Sequence, residues 1–197
     1  MIGKLLVSPF GGVWSVKKKV ASTNSKFLKK FYTFIYYLYQ YENGSSINIA
    51  SEFKNRPCLP HDIKGIFISG PVVVGKDCVI FHQVTINSIN SVDDENMGSP
   101  VIGDNCYIST GAKIMGNAKI GNSVKIGVNC VVTGEIPDNS IVTLKPNGEQ
   151  VVVQKESVDT NYYSYDIAGS WIYYLDEKWE KVKDEAVLKK LKDTYGK

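Results

Sequence analysis

Aliphatic residues recur every sixth position through the middle of the chain. One run is Ile68, Val74, Ile80 and Ile86, and a second is Ile102, Ile108, Ile114, Ile120, Ile126 and Val132. Six is neither a helical period nor the two-residue alternation of a half-buried strand. It fits a coil with three short faces, each advancing six residues and pointing one aliphatic side chain inward. Four residues after each aliphatic, a second inward position should be compact, and Cys78, Val84, Cys106, Ala112, Ala118, Val124 and Cys130 stand there. Gly75, Gly103, Gly121 and Gly127 directly follow an aliphatic, and Asp104, Asn105, Asn117, Asn122 and Asn129 lie nearby. These residue types tolerate the positive φ of a tight corner. The pattern predicts a parallel β-helix.

The rest of the chain is organised around this block. Residues 1–14 read as a strand or turn at the domain edge. Residues 15–42 read as one helix, with Phe27, Leu28, Phe31, Phe34, Ile35, Leu38 and Tyr39 at helical spacing and lysines opposite. Two readings fit that face: packing on the coil or a neighbouring subunit, and lying on a membrane surface. A degenerate repeat follows at Ile47, Phe53 and Leu59, and its phase slips around His61–Gly65. A second slip, between Ile86 and Ile102, extrudes the polar loop 87–100, a candidate flap over a site. After Val132 the repeats fade. The tail carries Tyr162, Tyr163, Tyr165, Trp171, Tyr173, Tyr174 and Trp179. It predicts strands or a hairpin near 150–154 and 171–181, a helix near 184–194, and an aromatic cap that seals the open end of the coil. The expected division is an N-terminal helical segment over 1–43, the β-helix over 44–146 and a C-terminal extension over 147–197.

Composition narrows the function classes. The chain has 197 residues and a net charge of +3, which gives no concentrated basic face for nucleic acid beyond the N-terminal lysines. No stretch follows the order of a signal peptide, so the expected location is cytoplasmic, at the inner face of the membrane if the basic helix lies there. Three of the four cysteines (Cys58, Cys78, Cys106, Cys130) occupy compact inward positions. They read as buried free thiols, and no Cys/His spacing suggests a metal site.

Three blocks carry a family resemblance. They are Leu59-Pro-His-Asp-Ile-Lys-Gly-Ile-Phe-Ile68, then Ile80-Phe-His-Gln-Val-Thr-Ile86, then, beyond the extruded loop, Ile102-Gly-Asp-Asn-Cys-Tyr-Ile-Ser-Thr-Gly-Ala-Lys-Ile-Met-Gly116. In this order they resemble the hexapeptide acyltransferases, and among them the serine acetyltransferase branch and its bacterial polysaccharide O-acetyltransferase relatives. The resemblance covers residues 44–146. It implies an all-β, left-handed parallel β-helix, here with an N-terminal α-helical segment and a C-terminal aromatic-rich cap plus helix. It also implies acetyl-CoA as donor, a homotrimer, and active sites in grooves between subunits.

Moving an acetyl group from a thioester to a hydroxyl needs a base that works near neutral pH, and histidine fits. The chain has only His61 and His82. His61 lies at a phase slip, so its side chain need not follow the core pattern, and it matches the family's catalytic histidine in the Pro-His…Gly-Ile context. A structural turn histidine is the alternative. His82 follows the inward Ile80 by two residues, which turns it outward, to position the acceptor, orient the thioester or pack at a subunit interface. No serine nucleophile with an attendant base stands out, which favours direct transfer. The donor is expected on Ser109, Thr110, Gly111 and Ala112, where small side chains let a pantetheine arm approach, with Lys113, Lys125 and Lys145 for the CoA phosphates.

The serine enzymes carry a second histidine before the proline that ends the loop, where this chain has Ser99 before Pro100. Their upstream acidic partner falls near Ser46 here, and their long N-terminal helical domain is absent or reduced. The expected acceptor is therefore a saccharide hydroxyl of a capsule, O-antigen or exopolysaccharide. The alternatives are a serine O-acetyltransferase of cysteine biosynthesis and a non-catalytic β-helix scaffold.

Overall fold

All ten phased aliphatic residues are buried, none keeping more than 4% of its surface exposed, and all seven compact positions are fully buried. The computed structural model describes residues 2–196. Its centre is a coil of three parallel sheets. The first face stacks Ser46–Ile47, Phe67–Ile68, Thr85–Asn87, Lys113–Met115 and Val131–Val132. The second stacks Glu52–Phe53, Val73–Val74, Val101–Ile102, Lys119–Ile120 and Glu135–Ile136. The third stacks Val79–Ile80, Tyr107–Ile108, Lys125–Ile126 and Ser140–Leu144, and ends on the antiparallel strand Gln150–Gln154. Registers place like on like: Ile86 pairs with Ile114, Ile102 with Ile120, and Ile108 with Ile126. Each inward residue thus touches its equivalents one coil away. Full burial of such a side chain contributes about 1.5–3 kcal/mol.

The N-terminal segment differs from expectation. Residues 1–14 were expected as a strand or turn; instead α1 (Ile2–Val7) and a 3-10 turn (Ser8–Phe10) precede α2 (Val13–Ser22). The single helix expected over 15–42 breaks between α2 and α3 (Lys26–Glu42). Thr23 is extended and Ser25 caps α3, its hydroxyl accepting from the Leu28 amide. The short polar run Ser22-Thr-Asn-Ser25 is therefore a stop and a restart.

These helices cover the open start of the coil. Val16, Val20, Ile35, Tyr36 and Tyr39 join one core with Ile47, Ile63 and Ile66. Polar side chains meet the backbone groups that a first coil leaves unpaired. The Tyr36 hydroxyl donates to the Ile47 carbonyl (2.8 Å), the Gln40 side chain accepts from the Ile47 amide, and Lys17 Nζ donates to the carbonyls of Ile49 and Ser51 (2.8 and 2.6 Å). Burial pushes the Lys17 ammonium down to about 8.

The C-terminal extension forms a three-stranded antiparallel sheet, Tyr163–Tyr165, Trp171–Leu175 and Lys178–Lys181, followed by α4 (Glu185–Tyr195). The expected seal over the open end of the coil is not what its aromatics make. Tyr174 and Tyr162 pack on Cys58, Val79, Phe81 and Tyr107, on the flank of the third face near its early coils. Among the described residues, no helix is long and apolar enough to cross a membrane.

Candidate active site

The two histidines meet at one corner of the coil, between the third and first faces. His82 follows the strand Val79–Ile80 and precedes Thr85–Asn87. His61 lies in the irregular passage 59–65, where the degenerate first coil crosses the same corner. Their rings are 4.9 Å apart between centroids and nearly perpendicular at 82°. His61 is exposed and His82 half-buried. Among the described residues the Nδ1 atom of His82 is buried without a hydrogen-bond partner. The ion pairs among the described residues are Lys54–Asp104, Lys119–Glu135 and Lys145–Glu149, and none includes a histidine.

Successive coils repeat this corner. Gly111 donates its amide to the His82 carbonyl (3.3 Å), and Asn129 donates to the Thr110 carbonyl (3.1 Å). Thr110–Gly111 therefore lies one coil step from His82, and 128–129 one step further. The backbone there is left-handed: φ is +61° at Gln83, +71° at Gly111 and +57° at Asn129. At Gly111 the requirement is double, because a Cβ would also lie 2.1 Å from the Asn129 Oδ1 atom. The column ends there: beyond Val142, which pairs with Ile126, the strand runs on to Leu144 and Lys145 stands in the hairpin turn to Gln150–Gln154.

The expected donor residues divide. Thr110 and Gly111 lie on the corner, with Ser109 half-buried beside them. Ala112 is fully buried in the coil interior and its amide donates to Ser109, so neither its side chain nor its N–H is open to a ligand. Lys113 is exposed next to the corner, its ammonium on the Gly111 carbonyl (3.1 Å). Lys125 is on the third face, its ammonium 4.6 Å above the Tyr107 ring and 3.4 Å from the Asp159 carbonyl. It is thereby engaged under the C-terminal extension. Lys145 pairs with Glu149 (3.0 Å). The loop 87–100 sits at a different corner, between the first and second faces. There it closes on itself through Ile89 and Gly98 and accepts from the Asn117 amide at Asn96 (2.9 Å). Ser99 bonds Ser88 (2.8 Å). Within one chain this loop does not cover the histidines.

The passage that carries His61 is held from both ends of the chain. The Asp62 carboxylate, next to His61 in sequence, accepts from the Tyr39 hydroxyl of α3 and from the Ile63 amide. Burial and that carboxylate hold the Tyr39 phenol well above its ordinary range, so it stays a donor. Upstream, at the corner between the second and third faces, the Glu177 carboxylate accepts from the Arg56 amide (2.8 Å) and the Tyr174 hydroxyl donates to the Arg56 carbonyl (3.3 Å); the C-terminal side reaches His61 itself through rings. Phe81 packs edge-on against His61 (5.9 Å), and Tyr162 packs against Phe81 (5.7 Å). A cavity of about 350 Å³ behind this passage is lined by Tyr39, Arg56, Leu59, Asp62 and Trp179 and by neither histidine. Sequence reasoning missed Phe81, Tyr162, Tyr39 and Glu177 as supports. Only Phe81, adjacent to His82 in the chain, left a signal.

Residues 99–134 match the bacterial transferase hexapeptide family (six repeats). Over 130 residues the chain is 29% identical to a serine acetyltransferase of Staphylococcus aureus, covering 66% of this chain and 55% of that one. A Bacillus pumilus serine acetyltransferase is 30% identical over 146 residues, covering 72% and 65%. The structure of a Vibrio cholerae serine acetyltransferase aligns with TM-score 0.60 at 24% identity, over 75% of this chain and 55% of that one. An Entamoeba histolytica serine acetyltransferase isoform 3, solved with cysteine, aligns with TM-score 0.56 at 25% identity, over 72% and 50%. The chain spans about half the length of the first of these relatives. These names overturn the expected saccharide acceptor and the expected role in polysaccharide biosynthesis, since the relatives are serine acetyltransferases. Ser99 and the short helical segment outweighed, in that expectation, a coil whose similarity runs to the serine enzymes. The resemblance read from the three sequence blocks is borne out: this chain carries the hexapeptide-repeat acyltransferase fold and is similar, along that fold, to the serine acetyltransferase branch.

Proposed function

We propose that this protein is an acetyl-CoA-dependent O-acetyltransferase whose acceptor is the hydroxyl of L-serine, as in cysteine biosynthesis. The observation that carries the reading is the contact between His61 and His82 at the corner that continues into Thr110–Gly111. His61 is the exposed base. It takes the proton from the acceptor hydroxyl as the oxygen attacks the thioester carbonyl carbon. The tetrahedral intermediate collapses, the C–S bond breaks, and the CoA thiolate leaves and takes up the proton. The products are the O-acetyl ester and free CoA, with no acyl-enzyme. His82, half-buried against His61, fixes the orientation of that ring. It supplies the second imidazole that the serine enzymes place where Ser99 stands here. Acetyl-CoA is held along the corner, its narrow arm against Thr110–Gly111 and its phosphates towards Lys113 and Lys145.

In the same proposal the coil is left-handed and the working unit is a trimer. Phe67, Val128 and Val131 expose apolar surface on the first face and beside the histidine corner, and a neighbouring copy against them would close the groove. The four free, buried cysteines suit a reducing, cytoplasmic location. The test is release of free thiol from acetyl-CoA with L-serine. Wild type should turn over and His61→Ala should lose about a hundredfold or more in kcat. Serine-independent release, or release unchanged by His61→Ala, overturns the assignment.

A further inference from the structure

Helix α3 has two apolar faces, and only one of them is used by the fold. Ile35, Tyr36, Tyr39 and Gln40 are buried against α1, α2 and the first coil. Phe27, Phe31, Phe34 and Tyr41, at spacings of four, three and seven, form a second stripe on the other side. Three of the four face solvent, Phe27 79% exposed, Phe34 62% and Tyr41 85%, while Phe31 also meets Phe10 edge-on (6.1 Å). Lys26 and Lys30 flank it and are exposed. Seven lysines and no acidic residue precede Glu42, in a chain whose total net charge is only +3. Glu42 is itself occupied, its carboxylate accepting from the amides of Ile2 and Gly3 (2.9 and 3.0 Å).

We propose that this face of α3 docks on an anionic lipid surface, with the phenyl rings at the acyl boundary and the lysine ammonium groups at the headgroups. Charge complementarity selects this occupant. Aromatic rings flanked by lysines on a helix lying flat match a bilayer interface, where the aliphatic stems of lysine cover apolar surface while their charges reach outward. Two copies packed face to face through the stripe would instead bring two sets of lysines together with no acid to pair them. The proposal is independent of the acetyltransferase reading. It also fixes an orientation: the opposite side of the same helix holds, through Tyr39 and Asp62, the passage that carries His61.

The experiment is co-sedimentation of the full chain with phosphatidylcholine vesicles, with and without a third of the lipid as phosphatidylglycerol, at low and high salt. Wild type should bind the anionic vesicles at least about tenfold more tightly than the neutral ones, and salt should weaken the binding. Lys26→Glu with Lys30→Glu should abolish the difference. Phe27→Ser with Phe34→Ser should weaken binding about tenfold or more. Both pairs are solvent-facing, and circular dichroism confirms that the variants fold. Equal binding to both vesicles, or none, overturns the proposal. So does a drop in solution mass of the phenylalanine variant with vesicle binding unchanged, because the face would then belong to a second copy.

Discussion

Two corners of the same coil are built on different plans. Between the second and third faces the later coils support one another through side chains, while the first two are tied to the C-terminal extension at Arg56 and Asp77. The Lys76 amide donates to the Asp104 carboxylate, the Asp104 amide to the Asn122 side chain, and the Asn122 amide to the Asp138 carboxylate, all at 2.7–2.8 Å. Each coil satisfies the one before it with the same kind of bond. Between the third and first faces, where the histidines sit, backbone bonds alone join the coils: the Gln83 amide to Lys64, Gly111 to His82 and Asn129 to Thr110 (3.0–3.3 Å). The passage 59–65 is irregular, and Tyr39 holds it from one end of the chain through Asp62, while Tyr162 from the other packs on the Phe81 ring that meets His61. A repeat can specify a corner that every coil uses alike. A corner that must aim one imidazole departs from the repeat and needs partners from outside it.

Breaking the self-supporting corner should cost stability and spare chemistry. A Cβ at Gly103 would lie 2.6 Å from the Gly121 carbonyl and 2.7 Å from the Asn122 side chain. Gly103→Ala should therefore destabilise the coil by about 1–3 kcal/mol, seen as a lower denaturation midpoint, with activity per folded molecule unchanged. If activity falls in step at temperatures where the variant is folded, the two corners are not separate.

Breaking the supported corner should do the opposite. Tyr39→Phe removes the bond to the Asp62 carboxylate next to His61. The expected result is a loss of about tenfold in kcat, or about 1.4 kcal/mol in the barrier, with KM for acetyl-CoA unchanged and the melting temperature little moved. Full activity in this variant would reduce Tyr39 to packing alone.

The smallest effect is alkaline. Burial pushes the phenols of Tyr107 and Tyr174, which join the extension to the coil, up to about 12. An unfolded tyrosine ionises near 10. Between about 10 and 12 the unfolded chain holds fewer protons at these sites, so stability falls as pH rises. Lys17 works in the other direction. Its folded value of about 8 lies below the unfolded lysine value of about 10.4, so its contribution rises with pH between them. Thermal melts should therefore improve slightly from pH 8, turn over near 10 and decline towards 12. Lys17→Met should remove the rise and leave the decline.

The coil was legible because every turn buries the same two kinds of position. Ile114 between Ile86 and Val132, or Ala118 in its compact slot, repeats one environment many times. Where an environment occurs once, the sequence carried less. The stop at Ser22–Ser25 rests on a single cap, the expected strand or turn over 1–14 proved helical, and the aromatic tail has no period to say which surface it covers. His61 and His82 could each be picked out by their chemistry. Their mutual contact could not, because it runs across a phase slip. Lys125 looked like any outward lysine until Tyr107 and the chain at Asp159 were seen around it.

The stacking of the histidine corner has a metric consequence. One coil spans eighteen residues, as the pairing of Ile102 with Ile120 shows, and strands in one sheet are about 4.8 Å apart. Val142 lies three coil steps from Ile80, or about 14 Å. The coil is thus a ruler that fixes the spacing of residues along one corner by counting turns. Inserting or removing one eighteen-residue unit would change any such spacing by a single graduation, so distances along the corner are set by an integer.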